Sequence, residues 1–122
     1  MITARWTMGT SNMQDARLIR TKVFIEEQGF SEQNEFDDID EIALHVIIYK
    51  DDKPCATGRL YYKQGYRIGR IAVLREERGT GLGDLTVRML LFKAFEQEAE
   101  EVTVTAQLQA QGSRRQTKEY RM

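Results

Sequence analysis

The sequence has one cysteine, an almost balanced charge and no long hydrophobic run, and each of these features excludes a class of protein. The single cysteine, Cys55, excludes an internal disulfide and fits a reducing compartment. The formal net charge of −1 argues against a dedicated nucleic-acid-binding domain, which is usually strongly basic. No apolar stretch approaches the roughly 20 residues that span a bilayer, and the N-terminus lacks the apolar core of a signal peptide. We therefore expect a soluble cytoplasmic protein that binds neither nucleic acid nor membrane.

Chain length and composition predict one globular domain, 1–122. The 122 residues, of which 41% are hydrophobic and 9% aromatic, suffice for one core and are too few for two. Cys55 has no second cysteine beside it and His45 is the only histidine. The sequence therefore predicts neither a metal site nor a Cys–His nucleophile.

Hydrophobic periodicity predicts the order of strands and helices. Strands are predicted at 2–8, 42–50, 55–63, 66–74 and 102–110, and helices at 10–29 and 82–100. Ser11 or Asn12 can cap the first helix, and Gly29 can end it. Segment 30–41 has no period and many turn formers, which predicts a loop. The polar segment 111–122 is predicted to be irregular.

Three glycines precede the second predicted helix, in the sequence LREERGTGLG (74–83). Gly79, Gly81 and Gly83 leave backbone amides accessible, and the first amides of a helix lack intrahelical partners and attract anions. Arg75 and Arg78 add positive charge. The spacing matches neither a P-loop nor the dinucleotide fingerprint G-x-G-x-x-G. The segment therefore predicts either another kind of phosphate site or a tight strand-to-helix turn with two solvated arginines.

The same segment carries a family resemblance. RGTGLG at 78–83 matches the R/Q-x-x-G-x-G/A signature of the GNAT superfamily of acetyl-CoA-dependent N-acetyltransferases, with Arg78, Gly81 and Gly83 at the defining positions. The preceding IGRIAVLREE resembles the fourth strand of that family, and RTKVFIEEQGF and DIDEIALHVIIY resemble small bacterial members. The resemblance covers residues 2–110 and implies an α/β fold. Its sheet is expected to be mixed and mainly antiparallel, flanked by helices, with central strands that splay apart.

The resemblance also implies where acetyl-CoA binds. Backbone amides of the glycine loop are expected to hold the pyrophosphate of coenzyme A, at Arg78, Gly79, Thr80, Gly81, Leu82, Gly83 and Asp84. The fourth strand is expected to pair its exposed backbone with the pantetheine arm, at Ile71, Ala72 and Val73. The implied reaction is acetyl transfer to the primary amine of a small molecule or peptide, by direct attack in a ternary complex.

Glu26, Glu27 and His45 are the candidate catalytic groups. The two glutamates resemble the family's E-Q position; they act as bases, directly or through a water, or form a solvated helix face. His45 relays a proton or is a satisfied core histidine. Arg70 either pairs with acids at the edge of the core or faces the acceptor.

Acidic residues dominate the segment 26–41, which holds eight acids and no base. Such a rim would attract a cationic amine and repel coenzyme A. The alternative is a loop that serves only solubility.

The sequence departs from the family after residue 110. Most members continue with a helix bearing F-Y-x-x-x-G-F, whose tyrosine is the usual general acid, and with two further strands. The segment 111–122 matches neither, so that role is not carried over to Tyr120. Strand 102–110 is then expected to expose an unpaired edge, which favours pairing between chains and predicts a homodimer. The alternative to an enzyme is a non-catalytic or weakly active acyl-CoA-binding domain.

Overall fold

A computed structural model describes residues 1–108 and 116–122 as a six-stranded sheet with helices on both faces. The strands are β1 (Ile2–Met8), β2 (Leu44–Lys50), β3 (Lys53–Tyr62), β4 (Tyr66–Val73), β5 (Val102–Leu108) and β6 (Gln116–Arg121). The helices are α1 (Gln14–Arg20), which continues as a π-helical segment (Thr21–Glu27), α2 (Glu32–Glu35), α3 (Ile39–Ile42) and α4 (Leu82–Glu96). The strands lie in chain order, and only β4 and β5 among these six pair in parallel. The predicted mixed, mainly antiparallel sheet is confirmed.

The sheet buries a hydrophobic layer on each face. The layer around α4 contains Val46, Ile48, Ala56, Leu60, Ile68, Leu82, Leu90 and Ala94. The layer around α1 contains Ala16, Ile19, Val23, Phe24, Ile47, Ala72 and Leu74. Successive residues of β2 therefore enter opposite layers, because side chains alternate along a strand. This explains the continuous apolar run of β2 and confirms that the strand is buried on both faces.

Gly58 of β3 lies under Thr86 and Leu90 of α4, in a close contact between the helix and the sheet. A Cβ atom at this position would lie 2.6 Å from Ile71 Cδ1 and 2.7 Å from Leu90 Cδ1. We expect Gly58→Ala to lower the free energy of unfolding by about 1–3 kcal/mol, because the added methyl overpacks a buried contact. Urea unfolding checks this value. The control is Gly69→Ala on the neighbouring strand, where a Cβ meets nothing within 4 Å; an equal loss in the control would contradict the packing explanation.

The prediction of a loop over 30–41 is wrong, because α2 and α3 form within it. The side-chain oxygen of Ser31 accepts a hydrogen bond from the Asn34 amide at 3.2 Å and so caps α2. Glu35 and Asp40 are fully buried and hydrogen-bonded to Arg20. These ion pairs lie outside any periodic pattern, and they order the segment against the sheet.

The prediction of an irregular segment at 111–122 is wrong for 116–121, which form β6. This strand pairs antiparallel with β5, from Thr103↔Arg121 to Leu108↔Gln116. Backbone hydrogen bonds make this pairing, so a polar strand can form without apolar alternation. Residues 109–115 lie outside the described residues, and with them the end of the predicted strand 102–110.

The pairing of β5 with β6 also removes the reason for the predicted homodimer. β6 pairs with β5 along the edge that was expected to be open, and β4 pairs with residues 102–104 on the other side. The expected open edge at β5 is therefore wrong, and the homodimer stays a prediction without that support.

Candidate functional site

A groove opens where β4 and β5 separate. The two strands pair at Tyr66↔Val102, Arg67↔Thr103 and Ile68↔Val104, and the described register ends there. Beyond it lies a groove of about 460 Å³. One wall is formed by Ile71, Ala72 and Val73, and the other by Val104, Thr105 and Ala106. The predicted splay of the central strands is thereby confirmed.

A bulge in β4 turns the strand at the start of the groove. The register of β4 against β3 shifts by one residue between Arg59↔Gly69 and Thr57↔Ala72. Two residues of β4, Arg70 and Ile71, therefore oppose Gly58 alone. Arg70 has a φ of 49°, in the left-handed region. Bulges bend and twist the strand that carries them, so this one accounts for the divergence of β4 from β5.

The glycine loop lies at one end of the groove and leads into α4. Gly79 and Gly81 have φ values of 83° and 86°, which glycine adopts without steric cost. Gly81 is the N-cap of α4, and no side chain caps the helix there. Its first-turn amides are therefore left for another acceptor, which makes the loop suitable for an anion.

The predicted loop residues contribute to the groove in different ways. Arg78, Gly83 and Asp84 line it. The Asp84 carboxylate accepts a hydrogen bond from Arg88 Nε at 2.7 Å, one turn further along α4. Leu82 points its side chain into the core, and the Thr80 hydroxyl donates to the carbonyl of Glu77. Any contact of these last two residues with a ligand would therefore be made by their backbone.

Arg78, which lines the groove, is held by Glu27 from outside it. Its Nη1 and Nη2 atoms donate to the two carboxylate oxygens of Glu27 at 2.6 and 2.7 Å, and its Nε donates to the carbonyl of Val73 at 3.1 Å. The hydrogen bond from Arg78 lowers the pKa of the Glu27 carboxyl below its ordinary value. Glu27 is therefore ionised at neutral pH and is a weak proton acceptor.

The structure does not bring the three candidate catalytic groups together, and none of them lines the groove. Glu26 and Glu27 lie with Lys22 and Arg75 around a separate surface depression of about 440 Å³. His45 is buried in β2, and its Nε2 lies 3.1 Å from the carbonyl of Asp40. Because a carbonyl only accepts, that nitrogen carries the proton, and burial lowers the pKa of the imidazole. The catalytic roles of these residues stay predictions.

Sequence reasoning missed the part of the groove that the first helix supplies. Val23, Phe24 and Gln28 line it beside the wall of β4. Val23 and Phe24 belong to the apolar stripe of the helix and are buried against Ala72 and Leu74. The apolar stripe predicted which face of the helix is buried. It could not predict that this face lies beside β4 in the groove, because tertiary packing decides which element the face contacts.

Next to the bulge, a cluster of buried ion pairs joins the acidic segment to the sheet. Its members are Arg20, Arg59, Arg70, Glu35, Asp37 and Asp40. Arg20 donates to Glu35 at 2.9 Å and to Asp40 at 2.7 Å, and Arg59 donates to Asp37 at 2.7 Å and to Asp40 at 2.9 Å. Burial alone would raise the pKa of the Asp40 carboxyl, but the hydrogen bond from Arg20 and the charges of Arg20 and Arg59 outweigh it and hold the pKa below its ordinary value.

The expected acidic rim is partly wrong, because arginines neutralise half of its acids. Glu35, Asp37 and Asp40 belong to the ion cluster, and Glu27 is paired with Arg78. The density of acids in 26–41 therefore overstates the negative field at the groove. Arg70, for which two roles were open, lies in the cluster.

Within 1–108 and 116–122, no three His, Cys, Asp or Glu side chains are grouped so that they could hold a metal ion. No helix in this part of the chain has the length and apolar character needed to cross a membrane.

Comparison with known proteins agrees with the fold. The model of the acetyltransferase (GNAT) family matches residues 13–116. The chain therefore belongs to the GNAT acetyltransferase family, as the resemblance in the glycine loop predicted.

Three similar proteins illustrate this membership. The uncharacterized N-acetyltransferase YjcF of Bacillus subtilis (strain 168) is 32% identical over 99 residues, which cover 80% of this chain and 71% of YjcF. The uncharacterized protein YyaT of the same organism is 37% identical over 81 residues, which cover 63% of this chain and 55% of YyaT. A crystal structure of a candidate N-acetyltransferase from Lactobacillus plantarum has a TM-score of 0.78 and 26% identity, covering 90% of this chain and 78% of that one.

Proposed function

We propose that this protein binds acetyl-CoA in the groove between β4 and β5 and transfers the acetyl group to a primary amine. The observation that carries the proposal is the geometry of the groove, which runs between the splayed strands to the uncapped N-terminus of α4. Membership of the GNAT family supports acyl transfer in general terms. The direct attack, the acetyl donor and the amine acceptor are our proposals.

The groove has separate features for the two parts of coenzyme A. Val23, Ile71 and Val73 provide apolar surface for the pantetheine arm, and the backbone of β4 faces the groove without a strand partner. The amides of the glycine loop and the guanidinium of Arg78 suit the pyrophosphate, because both favour anions. A volume of about 460 Å³ lies within the usual range for a small-molecule site.

The proposed chemistry forms one bond and breaks one bond. The amine nitrogen attacks the thioester carbonyl carbon, the C–N bond forms, the C–S bond breaks, and the proton lost by the amine is balanced by protonation of the thiolate. In this proposal, backbone amides near Val73 polarise the carbonyl. Deprotonating a lysine-like amine at pH 7 costs roughly 4 kcal/mol, whereas an α-amine costs about 1 kcal/mol. An α-amine therefore needs less help from a base.

A second candidate function is binding of acyl-CoA with little or no catalysis. It is favoured by one observation: Glu26, Glu27 and His45 all lie outside the lining of the groove. Under this alternative the cofactor site is intact, and turnover with amines is absent or slow.

Calorimetric titration with acetyl-CoA, followed by a screen of amines for release of free coenzyme A, tests both functions. Micromolar binding with amine-dependent release supports the acetyltransferase. Binding without release over a broad panel of amines supports the second candidate. If the folded chain, checked by intact mass and circular dichroism, binds no acetyl-CoA, both functions are wrong.

The pairing of Glu27 with Arg78 predicts the effect of one substitution on cofactor affinity. We expect Glu27→Gln to tighten acetyl-CoA binding about two- to fivefold, because an exposed ion pair worth up to about 1 kcal/mol no longer competes for Arg78. Calorimetry measures the change.

The neighbouring substitution Glu26→Gln is the control for Glu27→Gln and is expected to leave the affinity unchanged. Weaker binding in Glu27→Gln would contradict the competition. A loss of 100-fold or more in kcat with unchanged affinity would instead identify Glu27 as the base, since general bases contribute about 10²–10⁴-fold.

A further inference from the structure

Arg70 combines a strained backbone with a side chain that is anchored in the ion cluster. Its φ of 49° is unusual for a residue other than glycine, and such conformations persist only where the surrounding structure holds them. Its Nε lies 3.2 Å from the Glu35 carboxylate, and its Nη2 lies 3.4 Å from the Asp37 carboxylate and from the carbonyl of Asn34. These contacts run from the bulge of β4 to α2 and the residues around it.

We propose that Arg70 is a positioning residue. Its ion pairs with Glu35 and Asp37 stabilise the positive φ at residue 70 and thereby maintain the bulge of β4. The next three residues, Ile71–Val73, form one wall of the groove, so the conformation of residue 70 sets the direction of that wall. An extended conformation at residue 70 would remove the bulge and carry 71–73 toward β5, which narrows the groove. The ligand-binding part of this inference rests on the proposed function.

The two carboxylates that bind Arg70 are themselves held in place by other arginines. Glu35 has no exposed surface and is also bound by Arg20, which in turn binds Asp40. Asp37 is shared with Arg59. A direct contact between Arg70 and the cofactor is the competing explanation, but Arg70 is absent from the residues that line the groove.

Replacing Arg70 by alanine and by glycine separates these explanations. Both variants lose the same ion pairs, but only glycine adopts a positive φ without steric cost. We expect Arg70→Ala to weaken acetyl-CoA binding about tenfold or more, which corresponds to about 1.4 kcal/mol, and Arg70→Gly to bind within about threefold of the original protein. Equal weakening in both variants, or no weakening in Arg70→Ala, would overturn the proposal.

Arg67→Ala is the control for a general effect of removing an arginine from β4. Arg67 lies before the bulge, and its Nε donates to the carbonyl of Lys63 at 2.9 Å. We expect unchanged affinity for acetyl-CoA. A loss as large as that of Arg70→Ala would overturn the specific role of residue 70.

Asp37→Asn provides a second route if Arg70→Ala does not fold. The Asp37 side chain is one-third exposed, so its replacement is milder. We expect Asp37→Asn to weaken acetyl-CoA binding about threefold when Arg70 is present and to have no effect on affinity in the Arg70→Gly background. The same weakening in both backgrounds would overturn the proposal, because Asp37 would then act without Arg70.

The backbone of residue 70 can also be measured without a ligand, which separates this inference from the proposed function. Three-bond HN–Hα couplings and backbone chemical shifts report the sign of φ at residue 70. If the original protein binds no acetyl-CoA, the proposed function fails while the inference is still decided. Loss of the positive φ in Arg70→Ala and its retention in Arg70→Gly would support the inference, and retention in both would overturn it.

Discussion

Gly81→Asp is expected to weaken acetyl-CoA binding by about 100-fold or more, the largest loss of affinity expected from a single change in the loop. The carboxylate would stand at the N-cap of α4, where it accepts hydrogen bonds from the first-turn amides and occupies the proposed pyrophosphate site. Losing two charge-assisted hydrogen bonds, each worth about 1.5–3 kcal/mol, accounts for at least this factor before charge repulsion is counted. Calorimetric titration with acetyl-CoA measures the loss.

The matched control for this change is Gly81→Asn. Asparagine has the same shape, tolerates a positive φ and also caps helices, but it carries no charge. A Cβ at position 81 meets nothing within 4 Å, and the strain of a side chain at a φ of 86° is common to both variants, so it does not affect their comparison. We expect Gly81→Asn to bind at least about tenfold more tightly than Gly81→Asp, because only the charged variant repels phosphate. If the two affinities are equal, the loop does not hold an anion.

Asp40→Asn is expected to lower the free energy of unfolding by about 3–5 kcal/mol, the largest loss of stability expected here. The change leaves Arg20 and Arg59 buried with one carboxylate fewer, and an uncompensated buried charge has a cost of this size. Urea unfolding measures it. Glu41→Gln, the exposed neighbour, is the control and is expected to change stability by less than about 0.5 kcal/mol. If Asp40→Asn lowers the free energy of unfolding by a similarly small amount, the ion cluster does not stabilise the fold as proposed.

Asp40→Asn is also expected to change how the free energy of unfolding depends on pH. The pKa of Asp40 is lower in the folded protein than in the unfolded chain, where it is about 3.9. The ionised carboxylate therefore contributes its full stabilisation above that pH, and this stabilisation is lost as the pH falls through the pKa of the folded state. The original protein should therefore lose stability below about pH 4, and Asp40→Asn should lose less over that range. Urea unfolding at pH 3 to 7 measures both slopes. Parallel slopes would mean that other carboxylates dominate acid unfolding.

Local pattern predicted most of the regular elements. The interval 2–8 coincides with β1, and 66–74 extends one residue beyond β4. Hydrophobic residues repeat with a period of 2 along a strand and of 3.6 along a helix, because one face of each element is buried. These repeats can be recognised in the sequence without knowledge of the fold. The end of the first helix was also predicted: the Gly29 amide donates to the carbonyl of Ile25, and Gly29 has a φ of 80°.

The ion cluster could not be predicted from local pattern. Arg20, Arg59 and Arg70 lie on three different elements, and nothing in the neighbouring residues of any of them indicates a buried carboxylate partner. The acids near residue 40 therefore suggested a solvated rim. Charge density along a chain does not distinguish a paired acid from a solvated one, because pairing is decided by residues far away in the sequence.

The groove was predicted only in part, for a similar reason. The glycine loop has a sequence signature because it requires positive φ at fixed positions, and Gly81 illustrates this. The bulge at Arg70 has no such signature, since an arginine in a strand gives no local sign of a left-handed conformation. β6 was missed because its residues are polar, and pairing with β5 depends on its backbone.

The short pairing of β4 with β5 leaves the sheet as two hydrogen-bonded units. Strands β1–β4 form one unit and β5–β6 the other; within the described residues, three residue pairs of the sheet join them, together with Val102 and Val104, which pack in the layer around α4. Segments with fewer hydrogen bonds across their boundary open at a lower free energy than the global unfolding. A molecule bound in the groove would contact both units, and its binding free energy would be added to their coupling. Binding of a ligand in the groove and the stability of the contact between β1–β4 and β5–β6 are therefore thermodynamically linked.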